Sequence, residues 1–412
     1  KILWENNQLI ALTADEKKAS SKIDSVMENM SFLKKSLFWL TQNSFGSLSN
    51  LPITTFNDFY HFNRVEGHYA GIGIKLDDIV ERISLSGSLG YGFSDKKTKY
   101  SINLSYPYKQ FTMGLKLFNH LRKQNKFFDY DDFDLTFQSW FEKNDFADYY
   151  YSKGIYGEIS YQLHNNIITT FGIEKRKDTN AELNSNWSLF NKTAKYENVK
   201  QIDIGDISEY TFTLTYDNKN YYDLGFLRVP DKSKSYLDAE LTVTKGFYSS
   251  NIIDSYWQTH MKFSVYHQTS SWFNPTLTIR GGINYGIMLE QNLFHLPGYY
   301  GTFSSPKLFN SLTIDDYTGD KFVTVFLENN FSNIIYKFLG LPYLKDTKFD
   351  FLVFAKYGWI NEEPLIHSSK YLYETGFGIG NILTFLRLDF CWRLQPYYKS
   401  NFKVILSTML GQ

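Results

Sequence analysis

Residues Tyr371–Leu394, YLYETGFGIGNILTFLRLDFCWRL, decide the fold. In the second half Leu386, Leu388, Phe390, Trp392 and Leu394 share one parity, while Arg387, Asp389, Cys391 and Arg393 share the other. Strand side chains alternate between faces, so the segment turns an apolar face one way and ionised groups the other. A soluble sandwich could carry this pattern with its charges in bulk water. In a transmembrane barrel the apolar face meets lipid and the charges line the lumen.

The rest of the chain separates these readings. Of 412 residues, 32 are Tyr, 36 Phe and 8 Trp, an 18% aromatic share that suits girdles at two membrane interfaces. Mean hydropathy is −0.35, and no uninterrupted apolar run reaches the roughly 18 residues of a helical span, so only a closed barrel could cross a bilayer. The 43 basic residues balance the 43 acidic ones, which argues against a nucleic-acid partner. A single cysteine, Cys391, excludes an intrachain disulfide and a cysteine-rich metal site. Lys1–Ile10 has neither the basic start nor the apolar core of a signal peptide, so the sequence reads as a mature chain or, preferably, a fragment beginning inside a precursor.

Two parts are expected: an N-terminal helical or linker segment, 1–60, and a barrel, 61–412. Thr13 and Glu16 have capping-box spacing, and Ile23, Val26, Met27, Met30, Leu33 and Leu37 recur at helical spacing, which predicts an amphipathic helix. From Glu66 onward alternation takes over. Ile83, Leu85, Leu89 and Tyr91 oppose Ser84, Ser86 and Ser88; Tyr210, Phe212 and Leu214 oppose Thr211, Thr213 and Thr215. The longest strand, 276–289, puts Leu277, Ile279, Ile283, Tyr285, Ile287 and Leu289 opposite Arg280. The pattern predicts fifteen strands, or sixteen if 133–140 is one, with long loops at 119–150 and 177–206.

Many of these segments reach 10–14 residues, against roughly 5–6 for a soluble strand and about 9–11 for a bilayer-crossing one. Arg280, Lys116, Lys262, Glu158, Asp350 and Lys356 all fall on the polar parity. A charge at the lipid midplane costs roughly 2–4 kcal/mol, so such segregation is what bilayer exposure selects. The fold class is therefore all-β, a transmembrane antiparallel barrel of about sixteen strands.

Several short motifs carry a family resemblance. Gly376-Phe377-Gly378-Ile379-Gly380, Phe385–Phe390 and Phe62-Asn63-Arg64-Val65-Glu66-Gly67 resemble the surface-antigen barrels, the outer-membrane-protein assembly and two-partner-secretion superfamily. Trp4-Glu5-Asn6, Ile23-Asp24-Ser25, Phe309–Leu312 and Gly319–Phe322 are similar to an uncharacterised Bacteroidota-type branch, which implies a carboxypeptidase-regulatory-like sandwich ahead of the barrel. The resemblance also implies a loop folded into the lumen between the eleventh and twelfth strands, tipped by an Arg-Gly-aromatic motif whose Arg pairs with an acid on the wall. The matching stretch has Gly298, Tyr299 and Tyr300, but Pro297 stands where the Arg would be.

The candidate lumen wall comprises Arg280, Asp350, Lys356, Glu374, Arg387, Asp389 and Arg393. Its structural reading is a solvated ion-pair network that stiffens the barrel; its functional reading is a contact set for the inner loop or for something passing through. His260, His295 and His367 have no readable Ser/Asp partner, so no catalytic site, cofactor or metal is expected. The expected role is non-enzymatic: assembly, translocation or surface complex formation in the bacterial outer membrane, with the bilayer and other envelope proteins or lipoproteins as partners. Two alternatives are a passive or gated pore and a scaffold for surface lipoproteins.

Overall fold

The computed structural model describes residues 2–5, 8–11, 59–77, 83–124, 132–223, 228–248, 254–269, 273–299, 303–304, 307–313, 317–340, 349–362, 368–382, 386–397 and 401–408. Sixteen antiparallel strands follow one another round a barrel. They are β1 (Tyr60–Asn63), β2 (Gly67–Asp77), β3 (Ser84–Gly92), β4 (Lys97–Tyr108), β5 (Phe111–Lys123), β6 (Tyr149–His164), β7 (Ile167–Asn180) and β8 (Gly205–Asp217). The second half is β9 (Tyr236–Tyr248), β10 (Ser255–Tyr266), β11 (Asn274–Gly286), β12 (Lys321–Asn330), β13 (Asp350–Glu362), β14 (Ser368–Ile382), β15 (Leu386–Gln395) and β16 (Phe402–Thr408). Beside β16, Phe303–Ser304 of the β11–β12 connection pairs in parallel with Leu406–Ser407.

Two sequence expectations are altered, and one falls outside the described residues. Residues 133–140 are not a strand: helix α1 spans Asp132–Phe141. Its four-residue spacing stacks Phe137 on Phe141, centroids 4.4 Å apart, while Leu135, Gln138 and Ser139 are buried. The sixteenth strand is instead the short β1. Second, β11 ends at Gly286, so Ile287 and Leu289 leave the lipid-facing row. Third, the helix expected within 1–60 lies outside the described residues; Ile2–Glu5 and Gln8–Ala11 form a separate hairpin.

The parity rule sorts the wall. Ile72, Ile74, Leu89, Ile102, Leu104, Met113, Leu115, Ile155, Phe171, Phe212, Met261, Leu327 and Val353 are exposed on the outside. Phe118, Phe322, Phe354, Ile360 and Leu372 are buried inside. Exposed aromatics mark the edges of this band, with Tyr106, Tyr108 and Phe111 at one rim and Trp257 and Tyr285 at the other. The first rim holds the two-residue turns Lys109–Gln110 and Asn165–Asn166 together with connections 218–235 and 331–349; the second holds the longest connections, 124–148, 181–204 and 287–320. Two-residue turns at one rim and the longest connections at the other, around a charge-free apolar belt, make this an outer-membrane-type transmembrane barrel and assign the rim of longest connections to the cell exterior.

The principal apolar core lies inside the barrel. Phe294, Leu296, Leu308, Phe309 and Leu312 of the inner connection cluster with wall residues Phe322, Ile360 and Leu372, and with Val65, Leu135 and Ala181 at the loop rim. A wall one strand thick has no second layer to bury against, so the chain supplies that layer from its own loops.

Lipid contact along the belt has a measurable consequence. Leu115→Arg is expected to lower the free energy of folding into phosphatidylcholine vesicles by about 2–4 kcal/mol, read by denaturant titration. A change within about 0.5 kcal/mol, the usual range for a water-exposed site, would contradict the orientation.

Candidate functional site

The inner connection, 287–320, enters the lumen at Gly286. Its φ of +92° suits glycine, and a Cβ there would lie 2.2 Å from the Ser255 carbonyl oxygen. Immediately afterwards Leu289 and Ile287 pack with Ile207 and Tyr256. The carbonyl of Asn292 then accepts hydrogen bonds from Gln258 Nε2 at 2.8 Å and Asn284 Nδ2 at 3.0 Å. The two limbs of the connection zip together where Phe294–His295 pairs with Thr318–Gly319. Deeper in, Gly298–Tyr299 lies parallel to Phe309–Thr313, and the Phe309 amide donates to the Pro297 carbonyl at 2.7 Å. The wall makes room at Gly358, where a Cβ would come within 2.8 Å of the Phe309 ring.

The wall of β13–β16 holds the connection through its main chain. Glu374 on β14 accepts the amide N–H of Asn310 at 3.0 Å and of Ser311 at 2.8 Å, one on each carboxylate oxygen. Lys356, its cross-strand neighbour on β13, lies 3.4 Å from the same carboxylate and donates to the Leu308 carbonyl. Arg393 on β15 donates to Ser311 Oγ at 3.1 Å. On β16, Lys403 donates to the Tyr299 hydroxyl at 3.0 Å, its ammonium 4.1 Å from the ring centroid. Glu374 is 1% exposed and Lys356 4%, so both ions have lost their water and depend on these partners.

Beside them Arg387, 0% exposed, donates to Asp389 at 2.7 Å and to Glu328 on β12. Asp389 thus has an arginine from its own strand, two residues away, and also lies 3.5 Å from Asn310 Nδ2. In this barrel the wall supplies ions of both signs and the connection supplies backbone dipoles, so the proline at 297 leaves the anchor intact.

The structure therefore gathers Lys356, Glu374, Arg387, Asp389 and Arg393 around the connection, with Pro297, Gly298 and Tyr299 nearby; Tyr300 lies outside the described residues. Arg280 and Asp350 are outside this cluster. Arg280 faces Lys262 across the β10–β11 ladder. Asp350 lies near the turn rim, accepting from Asn330 at 3.1 Å and Asn381 at 2.7 Å. The Lys356–Asp389 cluster is buried where a solvated network was one expectation. Cys391 is a free thiol buried among it. His260 faces the lumen beside Phe322, and His295 lies in the inner connection within 3.2 Å of Thr318; His367 lies outside the described residues.

Sequence reasoning missed Glu328 and Lys403, whose inward parity in VTVFLENN and FKVIL was the available signal. It also missed a second network in which Arg176 binds both oxygens of Glu209, at 2.6 and 2.9 Å, and Asp178 at 3.0 Å. At the loop rim the β1–β2 turn forms a third. The Arg64 amide donates to Asp145 and its guanidinium to Asp148, both at 2.8 Å, while Thr136 Oγ1 accepts from the Phe62 amide at 3.0 Å. Glu66 is bound by His61 at 2.8 Å, Asn63 at 2.6 Å and Lys99 at 2.9 Å. Burial alone would raise the Glu66 carboxyl; the hydrogen bond and charge of His61, joined by Lys99, override it and hold the pKa at about 2.

No protein-family model and no curated protein matches this chain. Among solved structures, BamA from Haemophilus ducreyi lacking POTRA domains 1–3 aligns at 13% identity and a TM-score of 0.49, over 85% of this chain and 69% of that one. CdiB from Acinetobacter baumannii aligns at 13% and 0.44, over 84% of this chain and 56% of that one. A BenF-like porin from Pseudomonas fluorescens Pf-5 aligns at 10% and 0.33, over 85% and 95%. These likenesses are too distant to bear on function.

Two outcomes test the site. Removing one partner of a buried ion pair costs about 3–5 kcal/mol, so Glu374→Ala should lose roughly that much barrel stability, and a cysteine at Ser311 should become reactive to maleimide. Glu374→Gln, which keeps an acceptor oxygen, should lose less; equal losses would mean the carboxylate charge and its two amides are not the anchor. The Glu66 contribution has the opposite pH sense to a base. Its folded pKa lies below the unfolded value, so the stability it gives the β1–β2 turn is complete above about pH 4.3 and is lost as pH falls toward about 2. Limited pepsin cleavage of 124–148 and 181–204 should accelerate across that window, and Glu66→Gln should abolish the added pH dependence.

Proposed function

We propose that this chain is a non-enzymatic surface-antigen-type barrel of the bacterial outer membrane, acting in protein assembly, translocation or surface complex formation. The observation that carries the reading is the inner connection itself: a segment built into the lumen and held at Asn310 and Ser311 by a desolvated carboxylate. A barrel that handles polypeptide needs its permeability barrier kept closed while it engages a partner from one side. The carboxypeptidase-regulatory-like sandwich expected of the Bacteroidota-type branch would lie ahead of Lys1 and belongs to the same proposal.

One further observation favours surface complex formation within this reading. On the external cap Phe141 stacks on Phe190 with centroids 4.9 Å apart, and Phe190 is 64% exposed, with Trp187 and Leu189 exposed beside it. Exposed apolar groups clustered on a rim of polar loops mark a contact surface for another protein, here another envelope protein or a surface lipoprotein.

Affinity purification from native membranes tests the proposal. Stoichiometric envelope partners are expected, reduced by the pair Phe141→Ser and Phe190→Ser; a solitary monomer with a large steady conductance in planar bilayers would overturn it in favour of a pore. The intact barrel should show no stable open level, and Glu374→Ala should introduce intermittent openings.

A further inference from the structure

At the loop rim the β4–β5 ladder ends early, and above its last pair Asn119 Nδ2 donates to the Thr98 carbonyl at 3.2 Å. That last pair is Tyr100 opposite Asn119. Beyond that pair β4 continues upward against β3 to Lys97, and β5 continues against β6 to Lys123. A pocket of about 360 Å³ occupies the notch, lined by Lys97 and Lys99 on one side and by Asn119, Tyr151, Lys153 and Lys177 on the other.

The charges around the notch are unequal. Lys153 and Lys177 stand directly opposite each other on β6 and β7, an arrangement that is destabilising unless an anion intervenes. Both are exposed, as is Lys175 one step below. Lys97 lies with its ammonium 3.4 Å from the centroid of the Tyr151 ring. Of the acids beside the notch, Asp95 is already engaged by Lys99 and by the Tyr151 hydroxyl, Glu182 acts on Lys97 and Tyr151, and Lys99 is shared with Glu66. Asp206 faces Lys177 across the β7–β8 ladder, but no ion pair to Lys153, Lys175 or Lys177 forms among the described residues.

Position fixes the source of the anion. Lys153, Ile155, Ile159 and Tyr161 lie on one outward row, with Ile155 and Ile159 exposed. Eight residues from Lys153 to Tyr161 span ~27 Å along the strand, or roughly 20 Å along the membrane normal at a tilt of about 40°, close to the height of an apolar belt. Lys153 and Lys177 therefore sit at the upper edge of the hydrocarbon, where their stems can lie along the belt and their ammonium groups reach the headgroup layer.

We infer that this notch binds a phosphorylated lipid headgroup of the outer leaflet, with Lys97, Lys153 and Lys177 as its cationic ligands and Lys175 beneath. The inference is independent of what the lumen does. The lipid's acyl chains would lie along Leu117, Ile155 and Ile173, and its phosphate would relieve the opposed pair Lys153–Lys177.

Native mass spectrometry of the barrel released from detergent, titrated with bis-phosphorylated lipid A, tests this. One lipid should bind preferentially, and fully dephosphorylated lipid A should not. Each lysine near an anionic surface contributes about fivefold in affinity, so Lys153→Gln with Lys177→Gln should weaken binding by roughly 30-fold. If the double variant fails to fold, Lys153→Gln alone should show the fivefold step. Lys109→Gln, at the turn rim, should leave binding unchanged. Equal binding of dephosphorylated lipid A, equal loss with Lys109→Gln, or full displacement by millimolar inorganic phosphate would each overturn the inference, the last by making this a site for soluble anions.

Discussion

Glu374 is where the interior of this barrel is decided. A carboxylate stripped of water is costly unless every oxygen finds a donor. Here Lys356 supplies a charge and two consecutive amides of the inner connection supply hydrogen bonds. The dependence is mutual. Asn310 and Ser311 lie in a buried strand-like segment, and their N–H groups would be orphaned without the carboxylate. Sequence-remote parts of the chain, β14 and the connection after β11, are therefore stable only together.

The same constraint explains why the walls are patterned as they are. Outside, lipid tolerates no ions, so the outward rows of Ile102, Leu104, Leu115 and Phe212 are charge-free through the belt. Inside, the connection displaces water from one sector, and the ions there must pair with one another or with the main chain: Arg387 with Asp389 and Glu328, Arg176 with Glu209 and Asp178. Apolar packing joins the connection to the wall, with Phe309 seated on Gly358 and Phe294 beside Phe322. The lumen thus acquires the packed interior that a one-layer wall cannot make alone.

What was legible in the sequence follows from what period two can encode. Alternation in FLRLDFCWRL assigns Arg387 and Asp389 to the inside without knowledge of any partner, because parity is a local property. It cannot say which inward ions lose their water, since that depends on where a connection 60 to 80 residues away comes to rest. Hence Arg280, Asp350 and Glu374 read alike, though it is Glu374 that accepts two main-chain amides of the connection. The 133–140 segment failed for another reason: Phe133, Leu135, Phe137 and Phe141 all fall on odd positions, so a helix with Phe137 stacked on Phe141 also looks like an alternating strand. The lysine notch was invisible because no single strand contains it; it arises where the β4–β5 ladder ends.

Amide hydrogen exchange of the barrel folded in lipid vesicles tests the central claim most directly. If the wall holds the connection through its main chain, the amides of Asn310 and Ser311 exchange as slowly as those of strands β13 and β14, and Glu374→Ala accelerates them selectively. Exchange of these two amides at the rate of an exposed loop in the unaltered protein would contradict the account.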